Sequence, residues 1–196
     1  MAISNDVEKK KRIKNAAREL FFRFGFNKTA MEDIAHQSGL AKPTLYYYYE
    51  SKNAIFNEVV IEEAKLFMDR VQAKIPEDID ADEKIATFFK IIYQDLKKYA
   101  SKLAGVPDTM YEYSPHGRPI VEKINEIFSE KILPLLEEGQ NKGVFMDTEK
   151  EKIANALVIM TRFLNLDWIR RYPEKMRDQQ IETVIEIILN GLKRRK

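Results

Sequence analysis

Cysteine is absent from this sequence, which removes disulfides, thiolate nucleophiles and sulfur metal ligands at once. Histidine is nearly absent. The two present, His36 and His116, belong to no metal-ligand spacing and to no evident base–nucleophile pair. Glycine and proline number seven each; the glycines fall mostly where helices would end, and none builds a phosphate-cradling loop. No apolar run approaches the roughly 18 residues of a membrane-spanning helix. The first residues also lack the apolar stretch and small-residue cleavage site of a secretory signal. These absences leave no cofactor or metal site and a thin case for an enzyme. A reducing, cytoplasmic setting is the expectation.

What is there is a chain of 196 residues, 44% hydrophobic and 33% charged, the composition of a folded protein with a real core. The length allows one large or two small domains. The net charge of +2 is placed unevenly: residues 1–52 carry ten Lys/Arg against six Asp/Glu, and residues 53–196 carry 23 against 25. A basic first quarter on a near-neutral body fits a head that meets phosphates. The closing Lys193-Arg194-Arg195-Lys196 run reads as a solvated tail whose cations suit the negative end of a last helix.

Apolar residues recur at helical spacing and strand-like alternation is missing, so the fold is expected to be all-α, with about nine helices. Ile13, Ala16, Ala17, Leu20, Phe21 and Phe24 mark the first helix, which Gly25 ends. Thr29-Ala30-Met31-Glu32 has capping-box form, with Thr29 as the cap and Glu32 reaching back. Gly39 stops that second helix after a short run. A third begins near Ala41-Lys42-Pro43, where proline suits the first turn. Ser51 caps a fourth carrying Ile55, Phe56, Val59, Val60 and Phe67. A fifth holds Ile85, Phe88, Phe89, Ile92, Leu96, Tyr99 and Leu103. Gly105, Pro107, Pro115, Gly117 and Pro119 then break the chain into turns around one short helix. A seventh helix includes Ile120, Ile124, Phe128, Leu135 and Leu136, is kinked at Pro134 and closes at Gly143. An eighth is expected from Thr148 to about Arg171, and a ninth from Glu174 to about Lys193.

The two short helices around Gly39 are the most informative feature. A helix-turn-helix needs a small residue in its first helix, a glycine-like turn and a hydrophobic residue locking that turn. Ala35, Gly39 and Leu40 meet those needs in order. In the second of the pair, helical spacing turns Leu45 and Tyr49 to one side, toward a core. Lys42, Thr44, Tyr46, Tyr47 and Tyr48 spread over the rest. A helix this short cannot bury all its faces in a three-helix head. Phenols and a hydroxyl can donate to phosphate oxygens, and aromatic edges can touch thymine methyls in the major groove.

Gly25-Phe26, Thr29 to Ala35, Ser38-Gly39-Leu40, Lys42 to Tyr49 and Ser51-Lys52 together resemble the DNA-binding domain of the TetR family, ungapped from about Arg12 to Phe56. The resemblance implies that recognition lies in the helix holding Lys42 to Tyr48. It places Tyr46 and Lys52 on the phosphate backbone, and Lys42, Pro43, Thr44 and Tyr47 at bases or nearby backbone. Ala30 stands where such proteins usually have Ser or Thr, which leaves Thr29 as the cap and the contact at that helix start. The candidate DNA-binding set is therefore Thr29, Lys42, Pro43, Thr44, Tyr46, Tyr47, Tyr48 and Lys52.

The resemblance also implies an architecture: a helix-turn-helix domain over 1–52 and a ligand-binding and dimerisation domain over 53–196. Its partners would be a double-stranded DNA operator, a small-molecule effector and a second copy of the chain, paired through the last two helices. Ile181, Val184, Ile185, Ile188, Leu189 and Leu192 give the ninth helix a broad apolar stripe. The eighth is apolar nearly all round, as a helix buried on several sides would be. An effector would sit between helices, in an apolar cavity with few polar groups. The candidates are Phe67, Phe88, Phe89, Ile92, Tyr93, Met110, Tyr111, Tyr113, Ile124, Phe128, Met160, Phe163, Asn165 and Trp168, a set that suits a largely apolar effector. A homodimeric repressor released from a palindromic operator is the expected function. Activation stays open, because polarity depends on operator placement. A helical protein–protein module with a degenerate head is the rival, separable by the salt dependence of DNA binding.

Overall fold

The computed structural model describes residues 2–102, 117–161, 164 and 166–194. Among them are nine helices: α1 (Ala2–Phe24), α2 (Met31–Ser38), α3 (Lys42–Tyr48), α4 (Lys52–Gln72), α5 (Ala81–Lys102), α6 (Gly117–Asn141), α7 (Lys150–Thr161), α8 (Leu166–Arg171) and α9 (Glu174–Leu192). The described residues form no strand, only an isolated antiparallel bridge between Phe145 and Lys193. The chain clusters into two compact units. One is Met1–Ala64 with the start of α6 up to Glu122; the other is Lys65–Ala104 with Lys123–Lys196.

In the first unit, helical spacing on α1 turns Ile13, Ala17 and Phe21 inward, where they meet Met31, Ile34 and Ala35 of α2, Leu45 of α3, and Ile55 and Val59 of α4. Burying each large aliphatic chain of this kind contributes about 1.5–3 kcal/mol. Phe21, Phe26 and Phe56 close one end as a ring cluster, with centroids 4.8–5.7 Å apart. Gly25 ends α1 at φ 84°, and its N–H donates to Phe21 O. Ser51 caps α4 by accepting the Ala54 N–H at 3.2 Å. The cap of α2 differs from the expectation. Ala30, not Thr29, is the N-cap residue, and Asp33, not Glu32, accepts its backbone N–H at 2.8 Å. The reason is that Thr29 is buried and its hydroxyl donates to Gly25 O at 2.9 Å, closing the preceding turn.

In the second unit, α5 is the central element and packs against α8 and α9. Its Ala81, Ile85, Phe88, Phe89 and Ile92 are buried at helical spacing. Lys84 of α5 donates to both carboxylate oxygens of Glu138 on α6, at 2.9 and 3.0 Å. Phe145 folds back against Gly139 near the end of α6, its N–H donating to Gly139 O at 3.1 Å. The single eighth helix of the sequence reading is two helices here, α7 and α8. The Thr161 hydroxyl donates to Val158 O and the Leu164 N–H to Thr161 O. These local bonds stand where the helical ladder of α7 stops. The turn lays Ile169 into the core and sets the Trp168 ring 5.9 Å from Tyr93 of α5. The short helix expected within 105–119 falls on residues that, before Gly117, lie outside those described.

Candidate functional site

Two helices of seven and eight residues cannot hold themselves, so the α2–α3 pair depends on its neighbours. Gly39 takes the left-handed conformation at φ 65°, which reverses the chain after α2. Its N–H and that of Leu40 donate back to His36 O and Ala35 O. Arg12 of α1 reaches across the turn. Its Nε and Nη2 donate to Ser38 O at 3.1 and 2.6 Å, and Nη2 also to Gly39 O at 3.2 Å. A cation there satisfies carbonyls that the end of α2 leaves open. No spacing rule links Arg12 to residues 38 and 39, so sequence patterns do not reveal this clamp.

On α3 the faces separate as the spacing predicts. Leu45 is fully buried and Tyr49, just past the helix, is 4% exposed with its hydroxyl donating to Glu58 at 2.7 Å. Burial foremost, then Glu58, pushes the Tyr49 phenol well above its usual range. Tyr47 is 79% exposed and Tyr46 45%. Lys42 and Pro43 are exposed beside them, and Thr44 is half-buried. Lys42 pairs with Glu32 of α2, and the hydrogen bond between them raises the lysine and lowers the carboxyl. Lys42, Pro43, Tyr46 and Tyr47 therefore form one continuous outward surface of amine, ring and phenol groups.

Three residues of the candidate DNA set are engaged elsewhere. The Thr29 side chain is 2% exposed with its hydroxyl bonded inward, so it offers nothing at the surface. Lys52 donates to Phe26 O and Thr29 O, both at 2.8 Å, and lies 4.3 Å from the Phe26 ring centre. Burial holds its ammonium below the usual lysine range. It fastens the turn that leads into α2. Tyr48 is half-buried, and its hydroxyl donates to Asp6 of α1 at 2.5 Å. That hydrogen bond pushes the phenol up to about 12.

A cavity of about 640 Å³ opens in the second unit, lined by Phe89, Met160, Leu164, Trp168, Met176, Gln179, Gln180, Ile181, Thr183, Val184 and Ile188. Of the candidate effector residues, Phe89, Met160 and Trp168 line it. Phe88 and Ile92 are core, 1% and 2% exposed. Tyr93 spends its hydroxyl on Asp178 at 2.6 Å. Phe67, Ile124 and Phe128 are half-buried away from its walls. Met110, Tyr111, Tyr113, Phe163 and Asn165 lie outside the described residues. The wall that α9 supplies differs from the expectation, in which its apolar stripe serves dimerisation alone. The Gln179-Gln180 pair beside Ile181 was the available signal, since amides on an apolar stripe suit a cavity. Among the described residues, no group of three His, Cys, Asp or Glu side chains could hold a metal ion. None of their helices is long and apolar enough to cross a membrane.

Comparison with known proteins adds to this geometry. Residues 13–59 match the family described as bacterial regulatory proteins, tetR family. The chain is 26% identical over 193 residues to the fatty acid metabolism regulator protein of Bacillus subtilis, covering 91% of this chain and 92% of that protein. It is 29% identical over 123 residues to the HTH-type transcriptional regulator RutR of Escherichia coli, covering 59% and 58%. Among solved structures, the fatty acid degradation regulator FadR from Bacillus halodurans has a TM-score of 0.64 at 20% identity, over 95% of this chain and 97% of that one. A transcriptional regulator from Cytophaga hutchinsonii has a TM-score of 0.68 at 23% identity, over 93% and 97%. At those identities the structural likeness speaks for the fold.

Proposed function

Because the chain belongs to the TetR family of DNA-binding transcriptional regulators and is no enzyme, we propose that it is a homodimeric repressor released from a palindromic operator by a small, largely apolar effector. In this reading residues 1–52 bind DNA and residues 53–196 bind the effector and the second copy. The observation that carries it is the outward face of α3, where Lys42, Pro43, Tyr46 and Tyr47 stand clear of the core. Phenol and amine donors can hold phosphates, and a tyrosine edge can read a thymine methyl. The exposed Ile159 of α7 and Ile187 of α9, 55% and 62% accessible, support pairing of two copies through these helices. Two such heads must sit about 34–36 Å apart to meet successive major grooves. A shift of α4 on effector binding would change that separation, provided the effector prefers one spacing over the other.

The apolar walls of the cavity favour a chain-like or aromatic effector. Two of the similar proteins are named for fatty acid metabolism or degradation, which supports an acyl chain as the class. The test is binding to the DNA upstream of the protein's own gene, measured across a salt series. Steep loss of affinity with salt is expected, and Tyr47→Ala should cost about 1–3 kcal/mol of operator affinity. A folded Tyr46→Ala/Tyr47→Ala protein that binds the operator unchanged would sink the assignment of α3. Dodecanoate should dissociate the complex; an operator complex indifferent to saturating dodecanoate would rule out the acyl class.

A further inference from the structure

The described part of α1 begins well before the core does. Its first buried side chain is Ile13, while residues 5–12 are exposed or half-buried. Three contacts nevertheless hold this projecting segment beside the helix-turn-helix. Tyr48 donates to Asp6, Lys10 lies 5.6 Å from the centre of the Tyr49 ring, and Arg12 clamps the Gly39 turn. Asp6, Lys9, Lys10 and Ile13 follow the i, i+3, i+4, i+7 spacing of one helix face. The Asp6 and Lys10 contacts show that this face borders the end of α3. Lys9 is half-buried in the middle of it and Lys10 is exposed at its edge. Among the described residues, the ion pairs of this unit join Lys14 and Arg18 to Glu62 and Glu63, and Lys42 to Glu32. Neither Lys9 nor Lys10 takes part, so both charges remain available to a partner.

We propose that Lys9 and Lys10 form a second phosphate-binding element, placed against the DNA strand that flanks α3, with Asp6 as an opposing charge that limits its hold. The proposal rests on the reading that α3 enters the major groove. The occupant is double-stranded DNA because the segment is tied to the side of the recognition helix, and because its unneutralised charge is positive. Phosphate contacts of this kind fix position and carry no sequence information. Each lysine that neutralises a phosphate contributes about 0.9 to the slope of log affinity against log salt. Asp6 acts in the opposite sense: its carboxylate holds the Tyr48 phenol and sits where a phosphate would approach, so its charge weakens binding.

The experiment compares the full-length protein with Lys9→Gln/Lys10→Gln, and with Lys65→Gln/Lys175→Gln as a control on exposed lysines of the second unit. Each is titrated against the duplex upstream of its own gene and against a mixed-sequence duplex, across a salt series. The Lys9/Lys10 variant is expected to lose about 1.8 from the slope for each protomer bound, on both duplexes alike, with their affinity ratio kept. The control variant should match the wild type. Asp6→Asn should bind both duplexes more tightly. A wild-type slope in a Lys9/Lys10 variant with normal helicity and melting temperature would overturn the proposal while leaving α3 as the reader. Because Lys10 also packs on Tyr49, Lys9→Gln alone serves as the second variant, with about half the change expected and an unchanged slope again decisive against the proposal. A wild-type protein with no salt-dependent binding to either duplex would overturn the DNA reading itself, and this inference with it.

Discussion

At Gly39 a single hydrogen atom decides whether α3 can be placed. A Cβ there would force a side chain into the left-handed region, at a cost of about 1–2 kcal/mol, and would lie 2.7 Å from Arg12 Nη2. Gly39→Ala is therefore expected to destabilise the head by at least that amount in a urea melt, and to weaken DNA binding through loss of the Arg12 clamp. The start of α2 offers a sharper test of which residue does what. Asp33→Ala should cost about 1 kcal/mol by leaving the Ala30 N–H without its acceptor. Thr29→Val should cost a similar amount, about 1 kcal/mol, by leaving Gly25 O without its donor. If Thr29 were the cap, Asp33→Ala would be neutral in the same melt. These residues also mark the limit of what the sequence makes legible. Gly39, Leu45 and the Tyr46-Tyr47 pair declare themselves, because turn chemistry and helical spacing are local. Thr29 and Lys52 do not. Thr29 satisfies the local pattern for a cap, yet a carbonyl four residues earlier competes successfully for its hydroxyl. Lys52 looks like a free cation until the fold brings Phe26 O and Thr29 O within 2.8 Å of it.

Whole helices were legible where an apolar stripe faces one continuous core, as on α1, α4 and α5. The break between α7 and α8 was not, because residues 161–164 contain neither glycine nor proline to announce it. What turns the chain there is tertiary: Trp168 and Ile169 gain their places against α5 only if the helix stops. The cavity wall on α9 escaped for a similar reason, since a stripe of isoleucines serves a core, a pocket and a dimer equally well by spacing alone. The joint at the end of α6 gives the element-scale prediction. Gly139 to Ala would ordinarily stabilise a helix by about 1 kcal/mol. Here the added methyl would overlap the buried Phe145 ring, which cannot swing away without leaving the core. Gly139→Ala should therefore destabilise the protein by about 1–3 kcal/mol in thermal or urea melts. A stabilised variant would show that the Phe145 loop yields freely and does not anchor α6 to the end of α9.

For the molecule as a whole, the titrating groups predict a stability plateau with two falling limbs. On the alkaline side, burial and then the hydrogen bond to Asp178 push Tyr93 up to about 12, and Tyr48 is likewise raised to about 12. Unfolded tyrosine titrates near pH 10, so between about 10 and 12 the folded chain holds phenol protons that the unfolded chain has lost. Stability then falls as pH rises through that window. Lys97 and Lys142, raised by hydrogen bonds to Glu174 and Glu138, add to the same loss; Lys52, lowered by burial, opposes it. On the acid side, Asp82, Glu138 and Asp178 are lowered, each first by a side-chain hydrogen bond, from Lys193, Lys142 and Tyr93 respectively. Their contribution is present above about pH 4, where unfolded carboxyls ionise, and is lost as pH falls below it. One bond serves both limbs: the Tyr93–Asp178 contact keeps the phenol protonated and the carboxyl ionised. Tyr93→Phe should therefore flatten both. The alkaline limb should change more, because Lys97 stays beside Asp178 and continues to favour its ionised form. Melting temperatures of the wild type and the variant from about pH 3 to 11 would check this. An acid limb untouched by the substitution would mean that Lys97 and Arg177 hold the Asp178 charge without the phenol, and that the bond joining α5 to α9 is linked to protons on the alkaline side only.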